Sequence, residues 1–310
     1  MNCRIVFLFL LIALGAARVS YAESGILLLA HGGKPEWNAR VTDLAARVDK
    51  QKPTEVAFGM ATRANIQAAV DRLVARGVTD IVAVPLFVSS WSSVITSTEY
   101  LLGLRAEAPA ALAAFARMNH GQGSGHSGAG HDAHAGHTAV GGTTPVKSPV
   151  RIRMTPALND HPIVAEILAS RARSAGRTPA EEALIIVAHG PNEEHDNRRW
   201  LADLASLSKR IAGIEKFAAI DYLTVRDDAP KSIRDHATAE LRGLVEKRTQ
   251  EGRRVLVVPL LISFGGIEKG IRDRLEGLTY TMPDAGLMPD DRLATWVIAM
   301  ASQATAGNLN

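Results

Sequence analysis

The sequence predicts a parallel α/β fold made twice in one chain, as two lobes that each carry a parallel sheet with helices on both faces. Three observations predict it. The run Ala183-Leu-Ile-Ile-Val-Ala-His189-Gly190 is aliphatic on both faces over 184 to 188, the pattern of a strand buried between two helical layers. The same phrase occurs earlier as Gly25-Ile-Leu-Leu-Leu-Ala-His31-Gly32-Gly33. A third apolar run, Ile81-Val-Ala-Val-Pro85-Leu-Phe-Val88, returns as Val255-Leu-Val-Val-Pro259-Leu-Leu-Ile262.

Taken in order, residues 26 to 30 form the first strand, and 37 to 48 carry helical apolar spacing at Val41, Leu44, Ala45 and Val48. Residues 55 to 58 are the second strand. The amphipathic stretch 66 to 76 places Ile66, Ala69, Val70 and Leu73 on one face, and 80 to 88 is a fully apolar strand. The second half repeats the order: a strand ending at His189, a helix from about 198 to 214, a strand over 217 to 223, a long helix over 229 to 250 and a strand over 254 to 262. With Pro85 and Pro259 aligned, Leu101, Gly103 and Leu104 fall on Leu275, Gly277 and Leu278. Thr155-Pro156-Ala157 with Pro162 has the internal spacing of Met282-Pro283-Asp284 with Pro289, each followed by an apolar helix. Matches that keep their order mark an internal duplication. Alternating strands and helices imply right-handed βαβ crossovers, so His31 and His189 stand at the carboxyl ends of parallel strands, where ligands of open sheets gather.

Composition sets the class. The chain has 310 residues, 46% hydrophobic and 22% charged, enough for one large core or two modest ones. A formal charge of +3 and 5% aromatic residues give no footprint for nucleic acid, and none is expected as a partner. Residues 1–22 read as a signal peptide, with Arg4 ahead of an apolar stretch from Ile5 to Ala17 and cleavage after Ala22. Cleavage lowers the net charge to about +1, because Arg4 and Arg18 leave with no acidic residue. It also removes Cys3, the single cysteine, leaving no thiol ligand. The expectation is an exported, periplasmic protein with no membrane span after processing. The lobes are expected over 24–172 and 180–305.

A Gly, Ser and His stretch interrupts the first lobe at 118–148. Its composition cannot bury a core. His120, His126, His131, His134 and His137 are half of the 10 histidines, and imidazoles on such a stretch can wrap a borderline divalent ion. The alternative is a solvated linker.

An apolar strand ending in His-Gly, a second apolar strand with Val-Pro-Leu, and Pro156-Ala-Leu-Asn-Asp-His161-Pro162 before a helix, all doubled, resemble the CbiX/SirB-type sirohydrochlorin chelatases. These belong with the wider class II chelatases, which include ferrochelatase and the CbiK enzymes. The resemblance covers both halves and excludes the signal and the histidine stretch. It implies two flavodoxin-like lobes with a cleft between them, and a lyase-type enzyme of the kind used in cobalamin biosynthesis. It also implies insertion of a divalent metal, Co²⁺ first and Fe²⁺ or Ni²⁺ next, into a tetrapyrrole such as sirohydrochlorin. Metal and tetrapyrrole are then the substrates, and no nucleotide is required. A histidine-rich stretch also recurs in long CbiX proteins.

By that resemblance His189, and its counterpart His31, match the family histidine after the first strand. The short CbiX enzymes place a second histidine after Gly-Gly following the Pro-Leu strand; here Gly265-Gly266 is followed by Ile267, and the first half has Ser92-Ser93. The Ile267-Glu268 step resembles the one in which ferrochelatases keep a catalytic glutamate, and Glu268 pairs with Val94 in the internal alignment. Only the second half therefore supplies both groups, and His189 and Glu268 are the expected catalytic and metal-contacting pair, with His31 lining the opposite wall or left over from the duplication. Metal entry expels two pyrrole protons, so an imidazole that coordinates or accepts a proton and a carboxylate that offsets charge suit the chemistry.

Other residues have bland readings beside functional ones. Glu193-Glu194-His195-Asp196 either holds a hydrated ion or is a solvated helix start favoured by the dipole. His161 reads as structural and His236 as solvated. Ser89, Ser90, Ser92 and Ser93 either bond the macrocycle's carboxylates or form a polar loop, and Trp91 or Phe264 either lies on a flat ring or packs in a core. Two other function classes compete with the chelatase: a noncatalytic periplasmic carrier of metal or tetrapyrrole, and a phosphohydrolase with a phosphohistidine. The latter pattern requires arginine before the histidine, where this chain has Ala30 and Ala188.

Overall fold

The computed structural model describes residues 24–117 and 142–307. Residues 1–22, read above as a signal peptide, and His120, His126, His131, His134 and His137 lie outside the described residues. In the first half, β1 (Ser24–Ala30) leads through α1 (Pro35–Asp49) to β2 (Thr54–Phe58), and α2 (Arg63–Ala75) leads to β3 (Asp80–Pro85). Helices α3 (Ser93–Leu101) and α4 (Leu112–Arg117) precede β4 (Arg151–Met154) and α5 (Pro162–Ala175). The second half runs β5 (Glu182–Ala188), α6 (Glu194–Ile214), β6 (Ala219–Thr224), α7 (Lys231–Gln250), β7 (Arg254–Leu260), α8 (Ile267–Arg274) and α9 (Arg292–Thr305).

The sheets have the orders β2-β1-β3-β4 and β6-β5-β7, and every pairing is parallel. Their registers coincide. Leu29 faces Pro85 as Val187 faces Pro259, and Ala30 faces Phe58 as Ala188 faces Thr224. A one-residue slip would turn each apolar strand inside out, so an identical register in both sheets carries the duplication from sequence into geometry. The fourth strand of the second sheet is reduced to a single bridge, Leu256 with Thr281.

Strand alternation divides the core into three layers. Leu27 and Leu29 of β1 and Ile81 and Ala83 of β3 pack under α2, while Ile185 and Val187 of β5 pack under α7 and α8. The opposite faces, Ile26, Leu28 and Ala30 from one sheet and Leu184, Ile186 and Ala188 from the other, belong to one continuous cluster. That cluster is filled by α1, α5, α6 and α9. The last helices are exchanged: α5 packs on α6 and β7 of the second half, and α9 on α1 and β3 of the first. Trp296 of α9, 2% exposed, is buried in this layer, and full burial of such a side chain contributes about 3 kcal/mol. The apolar faces of α5 and α9 need cover and find it between the sheets. Among the described residues no helix is long and apolar enough to cross a membrane.

Candidate functional site at the carboxyl edge of the second sheet

His189 is the first residue past β5, with 27% of its side chain exposed. The loop that carries it is held from the neighbouring strand. Gly190 has φ +76°, and a β-carbon there would lie 2.6 Å from Cβ of Thr224, so only glycine lets the chain turn this close to β6. Arg226, two residues past β6, is 6% exposed and itself in the left-handed region, at φ +50°. Its backbone N–H donates to the His189 carbonyl at 2.6 Å. Its guanidinium donates to the carbonyls of Pro191 and Asn192 and, at 2.6 Å, to the Glu194 carboxylate. A buried planar cation that satisfies three acceptors of one loop fixes the path of that loop.

The same turn brings two acids to the imidazole. Asp228 Oδ2 is 3.6 Å and Asp227 Oδ2 is 3.9 Å from His189 Nε2. Asp227 is also paired with Arg274, which donates to Thr238 Oγ1 at 3.1 Å, so its charge is already matched. Asp228, 67% exposed, keeps its charge free for the imidazole or for an incoming cation. The sequence reading missed Arg226, Asp227 and Asp228. The available signal was their position, two to four residues past a strand that pairs with β5, on the edge where His189 stands.

Glu268 lies in the first turn of α8, where the helix dipole favours a carboxylate. Its Oε2 accepts from the N–H groups of Gly265 and Gly266 at 3.0 and 2.8 Å; Oε1 makes no hydrogen bond among the described residues. Because β5 lies between β6 and β7, His189, the Asp227-Asp228 pair and the turn bearing Glu268 all leave the same edge of three adjacent strands. Small hollows at the seam between the halves are lined by Ser89, Asn159, Trp200 and Asp203, and by Arg40, Arg47 and Asp290; His189 and Glu268 line neither. Among the described residues, no group of three or more His, Cys, Asp or Glu side chains is arranged to hold a metal ion.

Among the described residues, the first half lacks this constellation. His31 is exposed, and its Nδ1 lies 2.7 Å from the carbonyl oxygen of Gly32. Gly59 N–H bonds the Ala30 carbonyl as Val225 N–H bonds that of Ala188, so Ala61 and Thr62 occupy the places of Asp227 and Asp228. Val94 stands in the place of Glu268. His161 caps α5, accepting from Ile163 N–H at 3.2 Å, and lies edge-on to Trp296; burial first, then Arg210, lowers its pKa. Glu193, Glu194 and His195 are exposed at the start of α6, and His236 is exposed on α7. Ser89 and Ser90 are engaged in the turn itself, accepting from Trp91 N–H and Ala157 N–H, and Ser92 caps α3. Trp91 donates its indole N–H to Asp203 at 3.0 Å beneath the Arg199 guanidinium, 4.3 Å from the ring centroid.

The CbiX family profile matches residues 25–175, most of the first half. Residues 25–175 thus carry a CbiX domain. A comparison with curated proteins finds no match. Among solved structures, SirB from Bacillus subtilis with Fe³⁺ is 12% identical, with a TM-score of 0.59 over 93% of this chain and 99% of that one. SirB from the subspecies spizizenii in complex with cobalt gives 12% and 0.55 over 93% and 98%. CbiX, described as the terminal enzyme of siroheme biosynthesis in denitrifying bacteria, gives 18% and 0.51 over 90% and 98%. These likenesses establish a chelatase-type fold across both halves of the chain.

Proposed function

We propose that the protein inserts a divalent metal ion, Co²⁺ foremost and Fe²⁺ or Ni²⁺ next, into a sirohydrochlorin-type tetrapyrrole, and that it does so after export to the periplasm. The CbiX match over residues 25–175 supports metal insertion, and the SirB structures with Fe³⁺ and with cobalt support a metal as substrate. The observation that carries the site is the imidazole of His189 beside Asp228, on the edge that also bears Glu268. In the reaction two pyrrole N–H bonds break, two metal–nitrogen bonds form at those nitrogens, and two protons leave. Neutral His189 Nε2 accepts one proton, and the resulting imidazolium is stabilised by Asp228 at 3.6 Å. Glu268, with Oε1 free, offsets the charge of the entering ion and takes the second proton toward solvent. His31 has no acid at the matching positions and stays outside the reaction.

The test is spectroscopic: mature protein with sirohydrochlorin and each metal separately, wild type against His189→Ala and Glu268→Ala. Metal insertion faster than the uncatalysed rate, lost in both variants, supports the reading. A second reading, a periplasmic carrier of metal or tetrapyrrole, is favoured by the commitment of Glu268 Oε2 to two backbone amides and by Ile267 in place of a second histidine. Tight binding without turnover, indifferent to His189→Ala, would select it.

A further inference from the structure

The turn that presents Glu268 is held from the other half of the molecule. Ser263, 6% exposed, accepts a hydrogen bond from Arg40 Nη1 at 2.7 Å. Two residues on, a β-carbon at Gly265 would lie 3.3 Å from Cδ1 of Trp37, so the turn rests directly against that indole. Trp37, 8% exposed, also closes on Gly33, where a β-carbon would be 3.2 Å from its Cγ. Trp37 and Arg40 are three residues apart in α1 and so share a face. One face of a first-half helix thus grips both ends of the Ser263–Gly265 segment, and the amides of Gly265 itself and of Gly266 just beyond hold the Glu268 carboxylate.

The mirror contact exists and lacks the carboxylate. Trp200 of α6 donates its indole N–H to the Trp91 carbonyl at 2.8 Å, and Asp203, one turn on, accepts from the Trp91 indole. The buried positions Leu204, Leu207 and Ile211 of α6 repeat the spacing of Val41, Leu44 and Val48 in α1, which sets Trp200 on Trp37 and Asp203 on Arg40. Each half therefore braces the turn after the third strand of the other. Only the brace from α1 ends on an acid, because the turn at Trp91 leads to Val94.

We propose that α1, through Arg40 and Trp37, is a positioning element for Glu268: the half with Ala61 and Thr62 in the places of Asp227 and Asp228 fixes the carboxylate of the other half's site. The proposal rests on the reading of Glu268 given above, and its test separates the two. Amide hydrogen exchange at Gly265 and Gly266 is measured on the full chain for wild type, Arg40→Met, Ser263→Ala and Glu268→Gln, beside steady-state metal insertion for the same proteins and for Arg40→Met/Glu268→Gln.

Both Arg40→Met and Ser263→Ala should raise exchange at the two glycines by about tenfold, with the amides of β5 and β7 unchanged. Both should lower kcat by about tenfold with KM for the metal held within about twofold. In the Glu268→Gln background Arg40→Met should have no further effect on kcat. Unchanged exchange in both single variants overturns the proposal, as does an Arg40→Met effect that persists undiminished beside Glu268→Gln. A wild type that inserts no metal but shows the exchange response leaves the brace standing and removes the reading of Glu268 as proton relay.

Discussion

His189 Nε2 stands 3.6 Å from Oδ2 of Asp228, closer than to Asp227 at 3.9 Å, and the two acids differ in what else they touch. Asp227 is matched by Arg274, whereas Asp228 faces the imidazole and solvent. Their removal should therefore have different consequences. Loss of the imidazole in His189→Ala should lower the rate of metal insertion by about 10²-fold, the lower range for a lost acid–base group. Asp228→Asn should weaken Co²⁺ binding and slow insertion by roughly fivefold, the scale of one screened charge near 4 Å, without change in thermal stability. Asp227→Asn should instead leave Arg274 short of its partner and reduce stability by about 1–3 kcal/mol. Titration calorimetry with Co²⁺ beside thermal unfolding distinguishes the pair, and equal effects of the two acids on metal binding would remove this division of roles.

Arg226 should act on both stability and activity, because its guanidinium spans Pro191, Asn192 and Glu194 while its backbone holds His189. Arg226→Met should cost about 2–3 kcal/mol, from lost charge-assisted hydrogen bonds in a buried site. Arg226→Lys should recover little, since an ammonium cannot span three acceptors held in a planar fan. Denaturant unfolding monitored by circular dichroism measures the loss. A lysine variant as stable as wild type would show that charge alone, and not the fork, holds the loop.

The strands β1, β3, β5 and β7 and the helices α1, α6 and α7 were legible because each carries one unambiguous period, and the repeated phrase fixed their order. The exchange of α5 and α9 was not legible. Apolar spacing at Val164, Ile167 and Leu168, or at Leu293, Trp296 and Val297, shows that a helix is buried and is silent about which sheet it covers. At the site, His189 stood out as a histidine at a strand's carboxyl end beside glycine, and Glu268 only through the resemblance of Ile267-Glu268 to the ferrochelatase step. Arg226-Asp227-Asp228 reads as an ordinary polar turn before Pro230. Its role depends on the pairing of β6 with β5, which composition does not encode, and on an arginine turned inward by the left-handed backbone at its own α-carbon.

Glycine at 190 and glycine at 243 should respond to alanine in opposite ways. Gly190 combines φ +76° with a β-carbon position 2.6 Å from Thr224 Cβ, so Gly190→Ala should destabilise the protein by at least about 2 kcal/mol and move His189 with its loop. Gly243 lies within α7 with nothing within 4 Å of the added carbon. There alanine should stabilise by about 0.5–1 kcal/mol, through helix propensity and a less flexible unfolded chain. Melting temperatures of the two variants should move in opposite directions, and metal insertion should fall only in Gly190→Ala. A neutral Gly190→Ala would mean that the loop has another path past Thr224.

The seam between the halves should carry a pH dependence of known sign. Burial first, opposed by the hydrogen bond from the Trp91 indole and assisted by the negative charge of Asp160, pushes the Asp203 carboxyl up to about 6. The fold thus binds this proton more tightly than the unfolded chain does, where the ordinary value of 3.8 applies. The stability it contributes is complete below about pH 4 and is lost as pH rises through about 6. Asp203→Asn keeps an oxygen for the Trp91 indole and removes the ionisation. It should match wild type at pH 4 and exceed it by roughly 1–2 kcal/mol at pH 7, after discount for partial solvent screening of the carboxylate. Asp49 and Asp290, whose carboxyls are held below their usual range, destabilise both proteins equally as pH falls and cancel from the difference. The quantity to follow is the gap in melting temperature between Asp203→Asn and wild type from pH 4 to 8. A gap that opens between pH 4 and 6 identifies the Asp203 proton. A constant gap, or one that closes as pH rises, would show that Asp203 is already ionised throughout and that the Trp91 bond outweighs its burial.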